Sequence, residues 1–170
     1  MISTIVKYSL LFVFLILLQV LILNNLHMSV LLNPYVYVLL ILLLPFETPG
    51  WLVLSLSFAM GIILDVFSNT MGMHTAAIVF MTFVRNYLMI VMAPRDGYEQ
   101  EKTPHYTEMG LIWFIMYAGI LIFIHHLTLF VLEDFRAAHF FTALVKALLS
   151  GILSMSIILV LMLFSYRPSR

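Results

Sequence analysis

The chain has 170 residues, of which 64% are hydrophobic and 9% are charged, with a mean hydropathy of +1.11 and a formal net charge of zero. Soluble domains carry roughly 25% charged residues, so this composition excludes a water-soluble domain and predicts a polytopic membrane protein. Residues 1–170 have room for a single integral membrane domain, at roughly 20 residues per helical span. Cysteine is absent, which excludes disulfides and thiolate chemistry.

Apolar segments along the chain predict six transmembrane helices. Runs such as Val38 to Leu44 are apolar on every side, which is typical of helices and not of the alternating pattern of a β-barrel. The predicted fold class is therefore an all-α, polytopic helical bundle. The six spans fall at about 8–23, 30–46, 51–67, 72–93, 111–132 and 139–165.

The first two segments each leave an alternative open. Segment 8–23 could imitate a signal peptide, but the sequence from Leu23 to Leu26 offers no small-residue cleavage site, so we interpret it as a retained span. In the second segment, Asn33-Pro34 and Pro45 enclose a short apolar core. Such a core could re-enter the membrane rather than cross it.

The distribution of Lys and Arg favours six spans with both termini on the cytoplasmic side. Five spans would place Lys7 outside, which fits the positive-inside rule less well. With six spans, five basic residues lie inside and one, Arg136, lies outside. The five are Lys7, Arg95, Lys102, Arg167 and Arg170.

Two spans carry small or polar residues at helical spacing. Ser57, Gly61 and Asp65 recur every four residues in the third span, and Lys146, Ser150 and Ser154 do so in the sixth. Ala143, Ala147 and Gly151 flank the second series. Small residues let helix backbones approach closely in lipid. Both stripes are therefore candidate helix-packing faces, either within the bundle or toward a partner helix.

Charged residues within the spans are functional candidates by default, because a charge in a membrane is costly without a partner. Asp65 ends the third span, and Lys146 lies about 10 Å deep in the sixth, at 1.5 Å per residue. They could form an ion pair, or Lys146 could extend to the surface alone. Asp65 could instead cap or order the turn before Gly72. For Arg85 we expect extension to the cytoplasmic headgroups rather than an internal pair.

The sequence predicts no enzyme, metal site or cofactor. His125 and His126 are adjacent, so their side chains point about 100° apart on a helix and cannot share a metal. A Gly-x-Ser-x-Gly nucleophile elbow, a His-Glu-x-x-His motif and a phosphate-binding Gly-Lys-Ser/Thr loop are all absent. Nothing in the pattern indicates nucleic-acid binding.

The sequence Gly61-Ile-Ile-Leu-Asp65, followed by Val-Phe-Ser-Asn-Thr-Met-Gly72-Met-His, resembles the rod-shape-determining MreD family. The resemblance spans most of the chain. It includes Gln19 late in the first span, Asn33-Pro34 opening the second and Gly72 opening the fourth. The stretch from Ser68 to His74, with Arg85-Asn86 after it, is similar to Bacteroidetes-type members in particular.

This resemblance implies a non-enzymatic scaffold subunit of the bacterial cell-elongation machinery in the cytoplasmic (inner) membrane. Its expected partners are an MreC-like membrane protein, a RodA-type glycosyltransferase with its transpeptidase, and membrane lipids. MreD-like proteins are similar in fold to the substrate-binding membrane subunits of energy-coupling factor transporters. The alternative function is therefore a vitamin-type binding subunit for uptake. The short outer loops and few polar groups argue against that alternative.

Overall fold

The computed structural model describes residues 2–26, 32–99, 102–134 and 139–165. In these ranges the chain is helical, and five helices are long and apolar enough to cross a membrane. The first is α1, Ile2–Leu17, which continues through a π-helical turn, Leu18–Ile22, and a 3-10 turn, Leu23–Asn25. The others are α3, Gly50–Ser68; α4, Met73–Val91; α6, Leu111–Glu133; and α7, Phe140–Ser165. Two short helices, α2, Leu39–Leu43, and α5, Tyr106–Met109, lie between them.

The predicted second span does not form a long helix, so six spanning helices are not confirmed. Residues 32–46, called here the central segment, are non-helical up to Val38 and then form only the five-residue α2. A helix needs about 20 residues to cross the hydrocarbon core. Proline explains both limits, because Pro34 disfavours helical geometry at Asn33 and Pro45 prevents α2 from continuing. The first two residues predicted for this span, 30 and 31, lie outside the described residues.

The central segment nevertheless runs from one end of the bundle to the other. Pro34 lies beside Gln19, whose Nε2 donates to the Pro34 carbonyl at 3.1 Å. Nine residues later, the Leu43 carbonyl accepts from the Tyr8 hydroxyl at 3.0 Å. We call the end that contains Asp65 and the start of α4 the Asp65 end. The opposite end, with Lys7 and the connection between α4 and α6, is the Lys7 end.

The helices surround the central segment, which is the most buried part of the described chain. Its apolar side chains form the middle of the core and are at most 3% exposed from Val36 to Leu42. Around it, α3 packs on α4, α4 on α6 and α6 on α7, whereas α1 lies at the periphery against α2 and α3. Large apolar side chains such as Leu10, Val66 and Ile152 point outward. The surface is therefore suited to lipid.

The predicted topology rests on six basic residues. Three of them, Lys7, Arg95 and Lys102, lie at the Lys7 end. Arg136, Arg167 and Arg170 lie outside the described residues. The part of the chain that the structure describes is a multi-pass bundle whose termini approach the same end.

Candidate functional site: the Asp65 joint and the buried polar network

Asp65 joins the end of α3 to the start of α4. Its Oδ1 accepts hydrogen bonds from the Thr70 hydroxyl at 2.5 Å and from the His74 backbone N–H at 2.9 Å. Its Oδ2 accepts from the Thr75 backbone N–H at 3.0 Å and from the Thr75 hydroxyl at 2.6 Å. The carboxylate thus satisfies two of the free N–H groups at the start of α4 and complements the positive end of its dipole.

The turn between the two helices has the residues that this geometry needs. Asn69 ends α3 in the left-handed region, at φ 54°, and Gly72 precedes α4 at φ 82°. Asparagine and glycine tolerate this region, and other residues seldom adopt it. The two residues reverse the chain, which lets Asp65 reach α4 over only seven intervening residues before Met73. Of the alternatives open for Asp65, the structure shows the cap and loop-ordering role.

The stripe of Ser57, Gly61 and Asp65 faces α4 and is an internal contact. A Cβ added to Gly61 would lie within 3.0 Å of the Cα, Cβ and Oγ1 atoms of Thr75, a separation that real Cβ atoms do not show. The hydroxyl of Ser57 meets that of Thr82 at 2.6 Å. The close approach predicted from the stripe is therefore present, and it lies within the bundle rather than on a partner face.

The ion pair considered between Asp65 and Lys146 is absent. Among the described residues, the salt bridges are Lys102 with Glu99 and His139 with Asp134. The ammonium of Lys146 instead lies 5.8 Å from the centre of the Phe130 ring, within the range of a cation–π contact. The hypothesis was wrong because the hydrogen bonds from the α4 terminus already compensate the carboxylate, which needs no cation.

The small residues of α7 also pack internally. Ala143 and Ala147 are buried and share a cluster with Phe130 of α6. A Cβ added to Gly151 would lie 3.6 Å from Ile122 Cγ2, which is ordinary contact. Both stripes that the sequence offered as candidate partner faces are thus used between the chain's own helices.

Side chains of α1 and α7 satisfy the backbone of the central segment near the Asp65 end. The Oε1 of Gln19 accepts from the Val36 N–H at 2.9 Å, and Gln19 sits in the π-helical turn of α1. The hydroxyls of Ser150 and Ser154 accept from the N–H groups of Asn33 and Tyr35 at 3.0 and 2.9 Å. Non-helical backbone within a membrane requires such partners, because lipid offers none.

Near the Lys7 end, side chains of other helices donate hydrogen bonds to the carbonyls at the end of α2. Tyr117 donates to the Leu42 carbonyl at 3.2 Å, and Tyr8 donates to that of Leu43 at 3.0 Å. Arg85 donates from a guanidinium Nη to the Leu44 carbonyl at 2.7 Å and from Nε to the Tyr117 hydroxyl at 2.8 Å. These three carbonyls are among those that a helix leaves without intrahelical partners.

Arg85 therefore does not extend to the headgroups, and that expectation was wrong. Its side chain is 2% exposed and makes no salt bridge with a described carboxylate. The carbonyls freed by the interrupted helix supply the acceptors that the guanidinium would otherwise seek in water. Asn86, the residue after Arg85, lies beside Gly50 at the start of α3.

A cluster of histidine and tyrosine rings lies beneath the Asp65 joint. The Tyr37 hydroxyl meets His74 Nδ1 at 3.0 Å and His125 Nε2 at 2.6 Å. His126 Nδ1 lies 2.8 Å from the Ile122 carbonyl, and its Nε2 lies 3.0 Å from the Ser154 hydroxyl. Both α6 histidines are fully buried, and Nδ1 of His125 is the buried side-chain nitrogen without a partner in the described part of the chain.

The connection between α4 and α6 folds back onto the Lys7 end instead of extending into solvent. The ring of Tyr98 stacks on that of Phe46 with centres 3.9 Å apart, and its hydroxyl donates to the Met89 carbonyl at 2.8 Å. Burial raises the pKa of the Tyr98 hydroxyl. His105 precedes α5, and its Nδ1 accepts from the Thr107 N–H at 3.2 Å. Burial lowers the pKa of His105, with Glu108 opposing the shift and Lys7 adding to it.

Sequence reasoning missed the hydrogen bonds that other helices make to the central segment. The paired prolines in an otherwise apolar stretch were a usable signal, because an interrupted helix requires polar partners from its neighbours. Tyr8 and Tyr117 were not singled out, and the roles of Gln19, Ser154 and Arg85 were not foreseen. These pairings were not visible, since they depend on contacts between residues up to 119 positions apart.

The geometry of Asp65 is that of a joint between two helices. Within the described ranges, no group of three His, Cys, Asp or Glu side chains is arranged to hold a metal ion. Comparison of the chain with known protein families, with curated proteins and with solved structures gives no match.

Proposed function

We propose that this protein is a non-enzymatic membrane scaffold of the MreD type, a subunit of the bacterial cell-elongation machinery. In this proposal it binds an MreC-like membrane protein and helps to position the RodA-type glycosyltransferase and its transpeptidase. The central segment would be the second of six passes through the inner membrane, and the Lys7 end, with both termini, would face the cytoplasm.

The observation that carries the proposal is the use of the interior polar side chains. Gln19, Ser154 and Arg85 bond to the chain's own backbone, and Asp65 joins two of its helices. A bundle whose polar groups serve its own folding, and whose outer surface is apolar, acts by contact with other membrane components. The Gly61-x-x-x-Asp65 signature that suggests the family is also a place where α3 and α4 approach closely and are joined by hydrogen bonds.

The alternative is a substrate-binding subunit of a vitamin-type transporter, and one observation favours it. The buried cluster of Tyr37, His74 and His125 lies near the Asp65 end and includes the unpartnered Nδ1 of His125. A ligand could use such a nitrogen. Against this, His125 is fully buried and His74 is 5% exposed, so the cluster is closed as it stands.

Capture from native membranes separates the two functions. The tagged chain, extracted in mild detergent, should retain a protein with one transmembrane helix and a large extracytoplasmic region, identified by mass spectrometry. Depletion of the chain should convert rod-shaped cells to spheres. Capture of an ATPase together with a coupling subunit would contradict the scaffold. A rise of several degrees in melting temperature with any water-soluble vitamin would do the same.

A further inference from the structure

A groove opens on the side of the bundle between α1 and α3, with the central segment as its floor. It has a volume of about 490 Å³. Tyr8 and Val13 line it from α1, Leu40 and Leu44 from the central segment, and Leu52 and Ala59 from α3. Most of the lining is apolar. The Tyr8 hydroxyl is bonded to the Leu43 carbonyl, and the other polar lining residues are Thr4, Ser9 and Thr48.

The groove occupies one half of the bundle, at the Lys7 end. Along α1 it extends from Thr4 to Val13, about 13.5 Å at 1.5 Å per residue. The hydrocarbon core of a bilayer is about 30 Å thick, so one leaflet contributes about 15 Å. The groove thus matches the depth of a single leaflet.

The shape of the groove suits a hydrocarbon chain. The groove is open along the side of the bundle and is lined by apolar side chains of α1, α3 and the central segment, so one extended acyl chain can contact all three along its length.

A cation lies beside the groove, on the part of α1 nearest the Lys7 end. Lys7 is on the turn of α1 that borders the groove, and its ammonium lies 5.6 Å from the centre of the Tyr8 ring. In the described part of the chain it forms no salt bridge. A lysine at this depth favours a phosphate at the membrane surface.

We propose that the groove between α1 and α3 binds one phospholipid from the leaflet at the Lys7 end. One acyl chain lies between Tyr8 and Ala59 on the floor formed by Leu40 and Leu44, and the phosphate meets Lys7. The lipid completes the packing between α1, which is peripheral, and the rest of the bundle. The lipid would hold α1 against the bundle through its own contacts with both, without any further contact between the helices.

The test is a lipid titration of the purified, delipidated full chain, followed by native mass spectrometry. The probe is dioleoyl phosphatidylglycerol, with dioleoyl phosphatidylcholine for comparison. Wild type should bind one phosphatidylglycerol. Ala59→Phe and Val13→Phe place a ring in the groove from exposed positions and should each weaken this binding about tenfold or more. Ile62→Phe, on α3 and outside the groove lining, is the matched control and should bind as wild type does.

The headgroup is tested separately. Lys7→Gln should remove the preference for phosphatidylglycerol over phosphatidylcholine, whereas Arg95→Gln, exposed at the same end, should keep it. Equal binding by Ala59→Phe, Val13→Phe and Ile62→Phe would overturn the proposal. So would loss of a captured partner protein in Ala59→Phe with lipid binding unchanged, since the groove would then belong to that partner. No partner is needed for the titration, so its failure leaves the scaffold function untouched.

Discussion

Thr75 is held by two residues of α3 that lie one helical turn apart. Asp65 Oδ2 accepts from both the N–H and the hydroxyl of Thr75, at 3.0 and 2.6 Å. The backbone and side chain of Thr75 also press against Gly61, where no Cβ can be accommodated. The spacing Gly-x-x-x-Asp therefore encodes one joint. The glycine allows the start of α4 to approach α3, and the carboxylate accepts hydrogen bonds from it.

Asp65→Asn should destabilise the protein by about 1–3 kcal/mol in the free energy of unfolding. The asparagine side chain has an NH₂ group in place of one carboxylate oxygen. That group would face N–H and O–H donors at the start of α4, so at least one donor would lose its acceptor. Thermal or denaturant unfolding in detergent measures the loss. Thr75→Val should give part of it, because it removes only the hydroxyl bond.

The same variant distinguishes the cap from an ion pair. Combined with Lys146→Met, Asp65→Asn should give additive losses, with a coupling within about 0.5 kcal/mol. A markedly larger coupling in the double-mutant cycle would show that the two charges interact after all.

Gly61→Ala should destabilise by about 1–3 kcal/mol or prevent folding, because the added methyl group overlaps Thr75. Gly119→Ala is a matched control in α6, since its Cβ would lie 3.8 Å from the flexible end of Met155. That change should be neutral or stabilise by up to about 1 kcal/mol through helix propensity. Equal effects of the two substitutions on melting temperature would refute the close approach.

The sequence predicted four of the five long helices closely, placed the start of α1 six residues late, and predicted the central segment poorly. Helices such as α3 and α6 are specified by local apolar content, so their bounds fall within one residue of the expected 51–67 and 111–132. The central segment depends on partners distant in sequence, so its apolar composition alone indicated a helix. The same limitation led to the wrong expectation for Arg85, whose backbone acceptor, the Leu44 carbonyl, is available because α2 stops at Leu43.

Ser154→Ala should destabilise the protein by about 1–3 kcal/mol, because it leaves the buried N–H of Tyr35 without an acceptor. It also removes a bonding partner of His126 Nε2. Ser156→Ala is the control on the same helix. Ser156 is exposed and bonds only to the Ile152 carbonyl of its own helix, so its loss should change the unfolding free energy by less than about 0.5 kcal/mol.

Arg85→Lys should be nearly as damaging as Arg85→Met. The three N–H donors of a lysine sit on one nitrogen, so they cannot reproduce two bonds that leave different nitrogens of a planar guanidinium toward Tyr117 and Leu44. The expected result is a lower melting temperature for both variants. Arg95→Gln, at an exposed position near the same end, should melt as wild type does. Full stability of Arg85→Lys would show that charge alone is needed at this site.

Acid should loosen the connection at the Lys7 end through His105. Nδ1 of His105 accepts from the Thr107 N–H, which requires the neutral ring, and burial lowers the pKa of this histidine below its usual value of 6.5. The unfolded segment therefore binds the proton at higher pH than the folded one does. Stability falls as pH drops through the usual histidine range toward the lowered pKa, and is fully present above it.

Amide hydrogen exchange of residues 103–110 should quicken between pH 7.5 and pH 5.5, after correction for intrinsic rates. His105→Asn keeps an acceptor that does not titrate, so its protection should be insensitive to pH across this range. An unchanged response in His105→Asn would assign the effect to another group.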